Sequence, residues 1–277
     1  MHKSVKDIMS KKNSEKISVV TAYDYTTALL CDKADIDIML VGDSGGMVML
    51  GYENTVPVTM EQMCFFTEAV SRGREKSLVV ADLPFMSYQA SITDAITNSG
   101  RLIKAGADTV KLEGGRSIAD TINAIVETGI PVMGHIGLQP QTTMLSQGYR
   151  LQGRTKDSAI RLIEDAKALE EAGVFTIVLE MVTKEVARII TERVNVPTIG
   201  IGSGPHCDGQ VLVIHDLLGL YDKIKPKFAK RYLSLSQDIV RAIGTYKKDI
   251  ESTKFPSKGH CFSMDKGELE KLKKEID

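Results

Sequence analysis

Ala105-Gly106-Ala107-Asp108-Thr109-Val110-Lys111-Leu112-Glu113 is echoed later in the chain by Ala172-Gly173-Val174-Phe175-Thr176-Ile177-Val178-Leu179-Glu180. Each copy reads as a helix end, a glycine turn, a short strand and a terminal glutamate. A single echo weighs little, but the same rhythm runs along the chain. Short runs rich in Val and Ile end abruptly in a polar residue, and longer stretches with helical periodicity separate them. The runs are Ile17–Tyr23, Ile36–Gly42, Leu78–Asp82, Thr109–Glu113, Val132–His135, Phe175–Glu180, Thr198–Gly202 and Val211–His215. Strands covered on both faces look like this. Helices are expected over Thr59–Ser71, Ser91–Lys104, Ser117–Glu127, Thr155–Glu171, Thr183–Arg193 and Lys227–Lys247, with short ones near Ser4–Met9 and Thr26–Asp32. Several open on Ser or Thr and stop just before a glycine. Eight strands alternating with helices predict a single (β/α)8 TIM barrel over residues 1–257, preceded by a short N-terminal helix. Residues 258–277 form a charged tail whose last stretch suits a short exposed helix.

The 277 residues are therefore used almost entirely by one barrel. The balance of 35 Lys+Arg against 36 Asp+Glu argues against a broad basic surface for nucleic acid. No stretch approaches the roughly 18 consecutive apolar residues of a membrane span. The N-terminus, MHKSVKDIMSKKNSEK, lacks the apolar core of a secretory signal, so a cytoplasmic location is expected. The four cysteines, Cys31, Cys64, Cys207 and Cys261, are widely spaced and read as free thiols.

Polar residues fall where the strands end. Tyr23-Asp24, Asp43-Ser44, Asp82, Lys111 with Glu113, His135, Glu180, Ser203 and His215 occupy these positions in turn. A barrel brings them to its C-terminal mouth, where such enzymes keep their active sites. Alternation pairs Lys111 with Glu113, Val41 with Asp43, Val80 with Asp82 and Val178 with Glu180, which predicts acidic groups facing inward. Gathering carboxylates in one place costs several kcal/mol per charge unless something compensates them, on the order of magnitude known for buried ions. A divalent cation is the simplest compensation. Asp43, Asp82 and Glu113 offer hard oxygen donors, which suit Mg2+ with retained waters. His206-Cys207 and His260-Cys261 are adjacent pairs whose side chains diverge, so zinc is set aside.

Taken singly, each residue has a plainer reading. Asp43 or Asp82 could be a turn or N-cap residue. Lys111 could pair with Glu113, His135 could be a core histidine, and His215-Asp216 could cap the segment after the eighth strand. Gly202-Ser203-Gly204 could serve backbone geometry. The joint pattern on successive strand ends is what favours a functional mouth.

The chain resembles the ketopantoate hydroxymethyltransferase family. The matching segments are Thr21-Ala22-Tyr23-Asp24-Tyr25, Val41-Gly42-Asp43-Ser44, Val56-Pro57-Val58-Thr59 and Asp82-Leu83-Pro84-Phe85-Met86-Ser87-Tyr88. Val110-Lys111-Leu112-Glu113-Gly114, Gly134-His135-Ile136-Gly137-Leu138, Gln152-Gly153-Arg154, Leu179-Glu180 and Ile199-Gly200-Ile201-Gly202 continue it, and Cys207-Asp208-Gly209-Gln210 closes it. Similarity covers about residues 4–257. Small departures occur at Gly45, Gln139, Gln147 and Ser203, where the family often has a larger apolar residue, Thr, Gly and Ala respectively.

The resemblance implies that Asp43 and Asp82 ligate Mg2+, with Glu113 beside the metal directly or through water. It implies that Asp43, Ser44, Asp82 and Lys111 hold a 2-oxo acid, that His135 is a polar neighbour of substrate, and that Glu180 is the general base. It implies 5,10-methylenetetrahydrofolate as one-carbon co-substrate, 3-methyl-2-oxobutanoate as acceptor, 2-dehydropantoate as product, and a homodecamer, the assembly of the family's bacterial members. The nearest rival is a Mg2+-dependent barrel of the phosphoenolpyruvate mutase and isocitrate lyase type. Those enzymes use a catalytic Cys loop after an early strand, and Pro84–Tyr88 contains no Cys. A non-catalytic oxo-acid-binding barrel is the second rival; Glu180 together with Lys111 speaks against it. Phosphate binding at Gly200–Gly204 is a third reading, ranked below a structural or folate-side role.

Overall fold

In the computed structural model, residues 2–143, 150–221 and 226–276 are described. Gln147 lies outside them. Eight parallel strands close into a barrel in sequence order: β1 (Ile17–Thr21), β2 (Ile38–Val41), β3 (Leu78–Asp82), β4 (Thr109–Glu113), β5 (Val132–Gly137), β6 (Thr176–Glu180), β7 (Thr198–Ile201) and β8 (Gly209–Leu212). The helices are α1 (Val5–Ser10), α2 (Tyr25–Lys33), α3 (Gly45–Val48), α4 (Met60–Gly73), α5 (Ile92–Lys104) and α6 (Ala119–Glu127). They continue with α7 (Pro140–Thr143), α8 (Lys156–Glu171), α9 (Lys184–Arg193), α10 (Ile214–Leu218), α11 (Leu235–Glu251) and α12 (Lys266–Ile276). This is the (β/α)8 TIM barrel the sequence predicts.

Caps start the helices where hydroxyl residues stand. Ser4 with Asp7, Thr59 with Gln62 and Thr155 with Ser158 form capping boxes, and Ser91 accepts from the Asp94 N–H. Each such cap contributes about 1 kcal/mol. Two apolar layers arise from strand alternation. Val110, Leu112, Ile177 and Leu179 face outward and pack with helix residues such as Phe66, Leu102, Ile122 and Leu169. Ile38, Leu40, Val80, Met133, Val178 and Ile199 fill the barrel interior. Ile8 of α1, fully buried, joins that inner cluster and closes the N-terminal end.

The N-terminal end is also laced by ion pairs. Asp37, just before β2, binds Lys11 at 2.7 Å and Lys3 at 3.3 Å, and accepts from the Ser18 N–H at 2.9 Å. Asp208, just before β8, binds Lys12 at 2.8 Å and accepts from the Thr198 N–H at 2.8 Å. Asp108, just before β4, is gripped by both amino groups of Arg74.

Three details differ from the sequence reading. β8 ends at Leu212, so His215 lies in α10 rather than closing a strand; it is buried with its ring 5.7 Å from that of Tyr23. The helix expected over Lys227–Lys247 is instead Leu235–Glu251. The chain before it is tied back by the Tyr232 N–H to Leu217 O and the Ser236 N–H to Gly219 O, which leaves Phe228 against the barrel mouth. Val41 belongs to the outer, helix-covered layer, so simple alternation fails for Asp43. Asp43 reaches the mouth because β2 stops at Val41 and the chain turns at Gly42. The tail ends in α12, none of whose side chains is buried.

Candidate active site

A cavity of about 720 Å³ opens at the C-terminal mouth, with Asp43, Ser44, Asp82, Lys111, Glu113, His135 and Glu180 in its wall. The strand register brings them together. Asp82 of β3 lies opposite Lys111 of β4, and Glu113 of β4 lies opposite His135 of β5. Glu180 ends β6, next to Gly137 of β5.

Lys111 Nζ is 2.9 Å from Asp82 Oδ1 and 3.3 Å from His135 Nδ1. Its partner is thus Asp82 rather than Glu113. Burial pulls the Lys111 ammonium down, but the charges of Asp82, Glu113 and Asp43 outweigh it, and the net shift is upward. Lys111 stays charged. An ammonium has donors only, so His135 Nδ1 accepts and the ring proton is assigned to Nε2. Nε2 faces Glu180 Oε2 at 3.3 Å, without hydrogen-bond alignment. Burial and the Lys111 charge both lower the His135 pKa, which keeps the ring neutral near pH 7.

The carboxylates are pushed the other way. Burial, then the charge of Asp82, raises Asp43 to about 7. Burial also raises Glu113 well above the usual carboxylate range, against the pull of Lys111. Asp82 Oδ2 accepts from the Asp43 N–H at 3.1 Å, while the buried Oδ1 has no aligned hydrogen-bond donor among the described residues. Hard oxygen donors and carboxyls forced toward protonation fit a divalent cation. Among the described residues no group of three or more His, Cys, Asp or Glu side chains is placed to hold a metal ion by itself.

Ser44 sits at the cavity wall with its hydroxyl 2.8 Å from Tyr23 OH. Asp24 does not reach the mouth: its carboxylate accepts from the Thr27 N–H at 2.9 Å and caps α2. Ser203 is buried and braces the turn after β6, donating to Leu179 O at 2.7 Å and accepting from the Val182 N–H at 3.0 Å. Met181, inside that turn, adopts φ +50°, a left-handed conformation unusual for a non-glycine residue. Ser203 therefore serves the backbone beside Glu180.

Sequence reasoning gave no role to Tyr88 or Gln141. Tyr88 OH lies 2.9 Å from both Glu113 O and Gln141 Oε1. Gln141 Nε2 donates to Asp43 Oδ2 at 2.9 Å. Tyr88 falls inside a motif that carried the resemblance; Gln141 stands three residues past the end of one, behind Pro140, a residue that starts helices.

Comparison with known proteins agrees with this architecture. Among solved structures, phosphonopyruvate hydrolase aligns over 100% of this chain and 96% of its own, with TM-score 0.61 and 12% identity, which shows a shared fold. Oxaloacetate acetylhydrolase aligns over 76% and 80%, with TM-score 0.57 and 15% identity. Among curated proteins, the 3-methyl-2-oxobutanoate hydroxymethyltransferase of Nitrosopumilus maritimus is 72% identical over 277 residues, covering 100% of this chain and 99% of the relative. Its counterpart in Cenarchaeum symbiosum is 62% identical over 261 residues, covering 94% and 99%. The family model described as ketopantoate hydroxymethyltransferase matches residues 2–258, which takes in all eight strands and every residue of the mouth. With that span and that identity, the chain belongs to the ketopantoate hydroxymethyltransferase family and is a hydroxymethyltransferase.

Proposed function

We propose that the protein transfers a hydroxymethyl group from 5,10-methylenetetrahydrofolate to 3-methyl-2-oxobutanoate, giving 2-dehydropantoate, in the cytoplasm. The observation that carries this reading is the charge imbalance at the mouth. Asp43, Asp82, Glu113 and Glu180 face one buried ammonium, Lys111, and Asp43 is pushed to about 7. Such a wall is built for a cation and a small anionic ligand that shares it.

Asp43 and Asp82 would hold Mg2+, with Glu113 beside it directly or through water. When bound there, Mg2+ supplies Lewis-acid polarisation of the keto acid, which makes its C3 proton removable. Lys111, kept charged, stabilises negative charge on the oxo-acid oxygens. Ser44 donates or accepts at the same end of the ligand, its orientation set by Tyr23. Glu180 takes the C3 proton. The Nε2–H side of neutral His135 faces that carboxylate and keeps a polar surface beside it. The deprotonated C3 forms a C–C bond to the one-carbon unit; the two bonds from the methylene carbon to the folate nitrogens break, water supplies the hydroxyl oxygen, the protons pass to those nitrogens, and tetrahydrofolate leaves. The cavity is larger than a five-carbon acid requires, and its rim carries Met47, Leu151, Met181 and Phe228, an apolar approach for a large co-substrate.

Assembly into a homo-oligomer, the homodecamer of the family's bacterial members, is part of the proposal. Helix α11 supports it: Ile239, Val240, Ile243, Tyr246 and Ile250 recur at helical spacing, and Val240 is 70% exposed. The four free thiols accord with a reducing compartment.

Product analysis with the oxo acid, the folate and Mg2+, omitting each in turn, tests the reading. Formation of 2-dehydropantoate only in the complete mixture is the expected result. Turnover of the oxo acid with no one-carbon donor would overturn it.

A further inference from the structure

We propose that Gln141 is a positioning residue that orients the Asp43 and Glu113 carboxylates for the divalent cation without adding a positive charge beside them. The proposal rests on the assignment of Mg2+ to this mouth.

The local chain is shaped to deliver this side chain. Gly137, at φ +99°, turns the backbone at the end of β5; a Cβ there would stand 2.2 Å from Glu180 O. The Leu138 N–H then donates to Glu180 O at 2.8 Å. Pro140 opens the one-turn helix α7, and Gln141 comes next with its side chain over the mouth. Gln141 is fully buried.

Every polar group of Gln141 on this side is used. Nε2 donates to Asp43 Oδ2 and to Leu83 O, both at 2.9 Å. Oε1 lies 2.9 Å from Tyr88 OH and 3.4 Å from Gln89 Nε2. The backbone N–H donates to Glu113 Oε2 at 3.1 Å. The amide orientation is therefore determined: a flip would set Oε1 against two acceptors, Asp43 Oδ2 and Leu83 O. Tyr88 adds a second brace, since its hydroxyl accepts from the Glu113 N–H at 3.2 Å. One oxygen of each carboxylate is thus held by Gln141. Asp43 Oδ1 has no hydrogen-bond partner among the described residues, and Glu113 Oε1 faces only His135 Nδ1, at 3.6 Å.

The chemical point is the choice of donor. A Lys or Arg in this place would orient Asp43 equally well but would cancel the charge that attracts a cation. A carboxamide fixes geometry and adds no positive charge. Groups one step behind a metal ligand commonly change metal affinity about 10- to 100-fold when removed.

The test is Mg2+ titration calorimetry on the full-length wild-type protein and on Gln141→Met, which keeps length and volume and loses the side-chain donor to Asp43 while the backbone N–H to Glu113 remains. We expect Mg2+ affinity to fall at least about tenfold, with the KM for Mg2+ rising more than kcat at saturating Mg2+ falls, and with the circular dichroism spectrum retained. A folded Gln141→Met protein that binds Mg2+ within about twofold of wild type overturns the proposal. If Gln141→Met fails to fold, Tyr88→Phe takes its place, because loss of the hydroxyl frees Oε1 while the ring remains. A several-fold loss of Mg2+ affinity in Tyr88→Phe supports the proposal, and unchanged affinity overturns it. Wild-type protein that binds no Mg2+ overturns the metal reading and this proposal together, which separates the two failures.

Discussion

The two ends of the barrel use the same acidic residues in opposite ways. At the N-terminal end, Asp37 and Asp208 are pushed up by burial, yet hydrogen bonds from Lys11 and Ser18, and from Lys12 and Thr198, outweigh it and hold both below the usual carboxylate range. At the C-terminal end, burial and mutual repulsion win, and Asp43 and Glu113 are raised. At one end Asp37, Asp208 and Asp108 each have a cation. The other has one ammonium and a neutral amide for several. The difference shows that charge at a strand end says little until its neighbours are counted. Carboxylates that close a fold arrive with their partners; those that await a ligand do not.

Substitutions that exchange these roles test the contrast. The largest effect is expected for Glu180→Gln, a loss of about a thousandfold in kcat, on the scale of a missing general base. Deuterium exchange at C3 of the oxo acid should stop in the same protein while Mg2+ still binds. Exchange at the wild-type rate would remove Glu180 from the role.

At the other end, Asp208→Ala should destabilise the fold by about 3 kcal/mol, since it leaves the Lys12 ammonium buried without its partner. Denaturant unfolding measures this, and the KM values of the folded fraction should not move. A changed Mg2+ requirement in that variant would break the division between the ends. Asp82→Ala should act at the mouth instead, weakening Mg2+ binding by at least about tenfold. Unaltered metal dependence would rule out a ligand role for Asp82.

A subtler contrast lies in pH. The folded pKa of Asp43, about 7, lies above the ordinary value of 3.8. Its contribution to stability is therefore present below pH 3.8 and lost as pH rises through about 7. Mg2+ competes with that proton, so saturating Mg2+ should raise the melting temperature more at about pH 8 than at about pH 6. Equal increments would show that Asp43 carries no such proton. Asp37 and Asp208 have the opposite sign. Their folded pKa values are lowered, so their contribution is present above 3.8 and lost as pH falls through the lower folded values. Acid unfolding should thus begin at the N-terminal end, read by earlier hydrogen exchange there than at the mouth.

Much of this was open to reading in the chain itself. The barrel was legible because buried strands need Val and Ile on both faces, and the eight runs show it. Lys111, Glu113 and Glu180 were legible too, since each lies within a strand and alternation fixes its side. Asp43 reached the mouth by another route, because a strand that stops at Val41 no longer obeys alternation. His215 was misplaced for a similar reason: Val213 and Ile214 continue the apolar run, but the chain has already turned into α10. Gln141 left no periodic or charge signal. Its role depends on Gly137 redirecting the backbone and on residues from the turns after β2 and β3 meeting it in space. Tertiary convergence of that kind has no local trace.

Closure of the barrel has a consequence for how the chain must be made. Ile17 of β1 pairs with Gly209 of β8, across almost the whole barrel sequence. A polypeptide emerging from its N-terminus therefore carries a β1 edge with no partner until β8 has been synthesised. Pairings this distant in sequence slow folding, and unpaired edges invite association with other chains. The N-terminal helix, whose Ile8 packs under the same strands, cannot seat fully until that last strand arrives. The nascent chain thus spends its longest vulnerable interval just before the final β-strand, and truncation ahead of Gly209 should yield an aggregating fragment rather than a smaller barrel.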